Sequence, residues 1–274
     1  MKVGFIRHNL DCSNKLLRDF WSRRLIAIHF KSIRSKNPED YDGAGKKAMK
    51  ELLNWCSSGA IVGAVSRKIE PSRILIGKIE PGSGIGFEEK EGHIFKVVQL
   101  NNVKELSYTD YPLLSVQPRG GTISGWSSVK EYIKAIFECK SIPFKVNSLH
   151  PSQLEVICYE YLKKEGILDT LLMPIGRSLM DLDIVGINKE GQDILAQVTN
   201  NSNPLEVKNK IKRLQKIPDN YKFKKPTLIF FGPKSEKRKY EDVLYISNED
   251  VFDDLSSDSE SVYYKMLQRM LEIH

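Results

Sequence analysis

Apolar residues at Leu154, Val156, Ile157, Tyr161 and Leu162 recur at helical spacing and predict an amphipathic helix over residues 151–165, opened by Ser152 and ended near Gly166. The pattern then changes period. Residues 168–175, 182–187 and 193–198 read as strands, and Lys189-Glu190-Gly191 turns the last two into a hairpin. A helix starts at Asn203 or Pro204 and runs to about Ile217. Residues 227–231 are a short run of the kind found in a strand covered on both faces, 243–247 are another strand, and 262–273 make a terminal helix. Helix, three strands, helix, strand, strand, helix predicts an α/β domain with a mixed central sheet flanked by helices, spanning residues 148–274.

The first half differs in kind. Residues 24–30, 60–66, 74–79 and 94–100 are β-like and are separated by turn-rich stretches, among them the one at residues 81–86. Helices are predicted at 45–57, ending before Gly59, and at 127–137. Several short strands with one or two helices predict a mainly β, small-barrel domain over residues 1–140, with the boundary at 138–150.

A chain of 274 residues has room for two cores, and its net charge of +7 favours a polyanionic partner or a solvated basic surface. Placement narrows this. Residues 205–240 hold twelve Lys or Arg against three acids, whereas residues 241–260 hold eight acids and no Lys or Arg. The basic block thus belongs to one region, and Lys208, Lys210, Lys212 and Arg213 on its helix, with Arg177 upstream, are candidate phosphate contacts. Cys12, Cys56, Cys139 and Cys158 form no CxxC pair, so neither a zinc site nor a disulfide framework is predicted. Reduced thiols, and no signal peptide or long apolar run, predict a cytoplasmic protein with no membrane partner.

The candidate chemistry lies at residues 176–200. Asp183 opens a buried strand, Gln197 and Thr199 share one face of the next because strand side chains alternate, and Glu155 reaches the same area from the preceding helix. Carboxylate and carbonyl oxygens are what a hard divalent cation takes.

On LEVICYEYL, DLDIVG and ILAQVT, in that order, residues 150–250 resemble the restriction-endonuclease-like (PD-(D/E)xK) superfamily and within it the Mrr-like branch. The resemblance implies a nuclease with Glu155, Asp183 and Gln197 as ligands of Mg2+ or Mn2+, Gln197 standing where the wider superfamily has an acid. It also implies a catalytic lysine, but Thr199 occupies that position. Lys208 or Lys210 on the following helix are the nearest replacements, and Lys208 is taken with Glu155, Asp183, Gln197 and Thr199 as the candidate catalytic set. Asp181, two residues before Asp183, restores the charge missing at Gln197 if both side chains face the same way.

The N-terminal segments WSRRLIAIHF, GAIVGAVSR, RILIGKIEPGSG and HIFKVVQL, followed by PRGGTISGW, are similar to PUA/EVE-like barrels, a group that includes readers of modified bases. That likeness implies base reading by Trp21, Phe30 and Trp126, with His29 and Arg119 as edge or phosphate contacts, while the alternative for each aromatic is packing in a small β core, the commoner use of tryptophan there. The two likenesses together imply a metal-dependent DNA endonuclease of a restriction or antiphage system, modification-dependent in one version, with RNA and a homodimer left open. The alternatives are an inactive nuclease fold that binds nucleic acid and an effector that senses a nucleotide.

Overall fold

The computed structural model describes residues 1–118, 120–176, 181–221, 225–236 and 240–271. It divides into two compact units that meet in sequence between Ile142 and Pro143.

The first unit runs β1 (Lys2–Arg7), α1 (Asn14–Ser22), β2 (Leu25–Ile28), α2 (Gly43–Ser58), β3 (Ala60–Val65), β4 (Arg73–Ile79), β5 (Gly86–Lys90), β6 (His93–Gln99), β7 (Asn101–Ser107), β8 (Ile123–Gly125) and α3 (Lys130–Glu138). Its strands form a five-stranded sheet in the order β7-β4-β3-β1-β8 and a separate three-stranded sheet, β2-β6-β5. The predicted small barrel is therefore corrected: among the described residues no closed barrel is present. The reason lies in β1, which pairs parallel to β3, Lys2 opposite Ala60 through Arg7 opposite Val65. Parallel neighbours need a long crossover, here made by α1, β2 and α2. β3 accordingly is buried along its whole length. Ala60, Val62 and Ala64 pack with Ala48, Met49, Leu52 and Trp55 of α2. Ile61 and Val65 pack with Tyr132, Ile133 and Ile136 of α3.

This covered sheet decides the role of the aromatics. Trp126 is fully buried, its indole N–H donates to the Val116 carbonyl at 2.8 Å, and its ring lies where a side chain at Gly63 would stand. Trp21 is also buried in the core, and Phe30 is half-buried against Gly45. Trp126 and Trp21 therefore serve packing. Arg119 lies outside the described residues.

The second unit runs α4 (Pro151–Lys164), β9 (Thr170–Leu171), β10 (Ile184–Ile187), β11 (Asp193–Val198), α5 (Pro204–Tyr221), β12 (Thr227–Gly232), β13 (Val243–Ser247), α6 (Asn248–Leu255) and α7 (Val262–Leu271). The sheet order is β13-β12-β11-β10-β9. β11, β12 and β13 are parallel, and β10 is antiparallel to both of its neighbours. This mixed α/β arrangement is the predicted one. Leu195, Phe230 and Tyr245 pack with Val207, Ile211, Leu214 and Ile217 of α5. On the other face, Phe231 meets Tyr161 of α4 edge to face at 6.5 Å.

Three local expectations shift. α4 is capped by His150, one position ahead of Pro151, in a reciprocal capping box with Gln153. The strand expected at 168–175 shortens to Thr170–Leu171, flanked by backbone bonds from the Asp169 N–H to the Ile187 carbonyl and from the Leu172 N–H to the Val185 carbonyl. α6 was hidden in the acidic run. Among the described residues no helix is long and apolar enough to cross a membrane.

Candidate functional site

Asp183 sits at the entrance of β10, one residue before the ladder begins at Ile184 opposite Ala196. Its backbone N–H donates to the Ala196 carbonyl at 3.0 Å, and its Oδ2 accepts the Val198 N–H at 2.8 Å. The carboxylate is thus tied by its own strand pair to β11, beside Gln197. Burial raises the Asp183 carboxyl above its usual range; the Val198 N–H and the charge of Lys210 oppose that, and Asp181 reinforces it.

Glu155 projects from α4 toward the same place. Its carboxylate lies against Gly176, where a Cβ would overlap Oε2, and the Gly176 N–H donates to the Asp183 carbonyl at 2.7 Å. Only glycine suits this position, which combines a left-handed backbone with close approach to an acid. Buried Cys158 registers both acids: its thiol is pushed well up, first by burial and then by Asp183 and Glu155. The structure thus brings Glu155 and Asp183 together around one buried side chain.

Gln197 is buried, and its Oε1 has no hydrogen-bond partner among the described residues. A buried carbonyl oxygen left bare is unfavourable unless something electropositive meets it. Two carboxylates and an amide oxygen are hard donors, and Mg2+ is held by one or two carboxylates with water and phosphate completing its shell, so the donor set fits. Among the described residues no group of three or more His, Cys, Asp or Glu side chains is placed to hold a metal ion. The third protein donor of this set is therefore neutral.

Thr199 stands where the resemblance asks for a lysine, and a lysine comes to it. Lys210 Nζ on α5 donates to Thr199 Oγ1 at 3.0 Å, and its charge acts on Asp183. Lys208 is exposed on α5, so of the two candidate lysines Lys210 is the one seen in contact with Thr199. Lys212 and Arg213 are exposed, and Arg177 lies outside the described residues.

Two features went unread in the sequence. Asn248, at the start of α6, is fully buried and donates from Nδ2 to the Thr199 carbonyl at 2.7 Å, anchoring the strand end that meets Lys210. The cue was there: Ser247 caps α6 by accepting from the Asp250 N–H, and Val251, Phe252 and Leu255 form its buried stripe. The second is an ion pair between Arg213 and Asp181 at 3.2 Å.

No protein-family model matches the chain, and no characterised protein matches it significantly. Among solved structures, a repair endonuclease from Pyrococcus abyssi is similar at 12% identity and a TM-score of 0.27, covering 81% of this chain and 98% of that one. So loose an overlap transfers neither activity nor site.

Proposed function

We propose that the C-terminal unit is a divalent-metal-dependent nuclease domain acting on DNA, with Glu155, Asp183 and Gln197 holding Mg2+ or Mn2+. The observation that carries this reading is the meeting of Lys210 with Thr199, on the strand that carries buried Gln197 with its bare amide oxygen and that binds the half-buried Asp183 carboxylate through the Val198 N–H. When bound, the cation would activate water and neutralise charge building on a phosphate. Asp183 and Glu155 supply its negative ligands. Lys210 offers an ammonium held in place by the Thr199 hydroxyl, which suits a charge that appears only in the transition state. The exposed lysines along α5 suit the phosphate backbone on either side.

The neutral Gln197 favours a second reading, a nuclease fold that binds without cutting, because it removes one formal charge from the metal ligands. Incubation of the full chain with duplex DNA in Mg2+ or Mn2+ separates the two. Divalent-dependent cleavage that disappears in Asp183→Ala supports the nuclease. Tight retention of DNA on a native gel with no cutting in either metal supports the binder. RNA in the same assay reports substrate class.

A further inference from the structure

The geometry points to a substrate-gated third carboxylate: we propose that Arg213 holds Asp181 away from the metal ligands until a phosphate of the nucleic acid takes the guanidinium. The inference rests on the metal-dependent reading above and concerns how that site is regulated.

Asp181 is two residues before Asp183, and its charge acts on the Asp183 carboxyl. Its carboxylate is engaged by Arg213 at 3.2 Å, with the Asp181 side chain only 17% exposed and the Arg213 side chain 51% exposed. The pair therefore joins a group beside the site to a group facing solvent. Asp181 also has a left-handed backbone, φ +70°, which aspartate tolerates better than most residues.

Arg213 follows Lys210 by three positions, which places the two on neighbouring turns of one α5 face. A guanidinium binds carboxylate and phosphate through the same fork, so an incoming phosphate competes directly for the group that Asp181 uses. Release leaves Asp181 as an unpaired, half-buried carboxylate next to Asp183. On β11, paired with the strand that Asp183 opens, the third donor Gln197 is uncharged and its Oε1 unpartnered, so a cation held there lacks the charge that Asp181 carries. A cation there would gain a third negative ligand only in the presence of substrate. By linkage, nucleic acid then tightens the metal by the same factor as the metal tightens nucleic acid.

The test uses Mn2+ affinity of the full chain of both units, read by electron paramagnetic resonance without nucleic acid, and duplex affinity read by fluorescence anisotropy with and without Ca2+. Arg213→Gln is expected to tighten Mn2+ about 5-fold or more, because Asp181 is freed in advance. Asp181→Asn keeps the left-handed backbone and is expected to weaken Mn2+ in the Arg213→Gln background while changing little alone. In the unaltered protein Ca2+ tightens the duplex, and in Asp181→Asn that gain disappears. Arg213→Lys, which retains charge but loses the fork, should lie between. Unchanged or weaker Mn2+ binding in Arg213→Gln, with native circular dichroism, overturns the gate while leaving the nuclease reading intact if Asp183→Asn still abolishes Mn2+ binding. If Asp183→Asn binds Mn2+ as well as the unaltered chain, both fall.

Discussion

Lys210 and Thr199 are joined by a hydrogen bond of 3.0 Å from the ammonium to the hydroxyl, so a helix side chain reaches the strand position where the resemblance called for a lysine. Thr199 is thus the contact point of an ammonium carried by the helix rather than by the strand. Asn248 fixes the Thr199 carbonyl from a third element, so the contact is braced from α5, β11 and α6 together.

Lys210→Met keeps the aliphatic stem and removes the charge. Since Lys210 is one of the groups holding the Asp183 carboxyl down, that carboxyl should titrate at higher pH in the variant, as read by carboxyl-carbon nuclear magnetic resonance. Cleavage, where present, should fall roughly 10²- to 10³-fold, the usual effect of losing one preorganised electrostatic contact. Lys208→Met should leave the Asp183 titration in place. Equal effects of the two substitutions on Asp183 would refute the assignment to Lys210.

Much of the second unit was legible because its strands and helices are written in local periodicity. The choice between Lys208 and Lys210 needed one further step. With about 100° per residue, Val207, Ile211, Leu214 and Ile217 define the buried arc of α5, and Lys210 falls inside it whereas Lys208 falls outside. A lysine within an apolar arc extends along the sheet to reach a polar group at its edge. The first unit misled for a different reason: β2, β3, β4 and β6 were read in the sequence but β1 was not, and its parallel pairing with β3 is a non-local fact that no window of residues contains. Trp126 follows from that pairing, because it takes the space Gly63 leaves on one face of the covered sheet. Asp181 with Arg213 was unreadable too, since the pair joins residues 32 positions apart through the fold.

Asp183 carries a stability prediction of definite sign. Its carboxyl is raised by burial in the folded chain, so the folded state holds the proton more tightly than the unfolded one. The associated stability is fully present below the ordinary carboxylate range and is lost as pH rises through the raised folded value. Asp183→Asn retains an oxygen for the Val198 N–H and removes the buried charge. The variant should therefore be more stable at neutral pH by about 1 kcal/mol, the scale of a single stabilising change. Urea titration at pH 5 and pH 8 checks this, and a variant less stable than the parent at pH 8 would contradict it.

His8 gives the opposite pH dependence in the first unit. It is buried, accepts the Ala27 N–H at Nε2 over 3.1 Å, and has its pKa lowered by burial to about 4. A histidine that titrates lower in the folded state contributes stability that is complete above about 6.5 and lost as pH falls toward about 4. The full effect is on the order of 3 kcal/mol, from a displacement of that size at about 1.4 kcal/mol per pH unit. Unfolding free energies measured between pH 7 and pH 4 should fall less steeply in His8→Asn, which keeps a side-chain acceptor but does not titrate. Parallel curves for the two proteins would rule His8 out as a source of acid sensitivity.

The exposed lysines of α5 make a prediction that is independent of catalysis. Lys208, Lys212 and Lys216 recur every four residues and are all exposed, so they form one stripe along the helix. If that stripe neutralises phosphates, each contact releases condensed counterions. The logarithm of the binding constant should then fall linearly with the logarithm of salt concentration, with a slope of about 0.9 per contacted phosphate for duplex DNA. Replacing all three by Gln should reduce that slope by between two and three and weaken binding uniformly across sequences, whereas Lys210→Met, whose ammonium is engaged by Thr199, should reduce it by less than one. Anisotropy titrations from 50 to 300 mM salt, in the absence of divalent cation, read the slopes directly. A triple variant with the parental slope would place the phosphate-binding surface elsewhere on the protein, because loss of contact without loss of slope is incompatible with counterion release at these lysines.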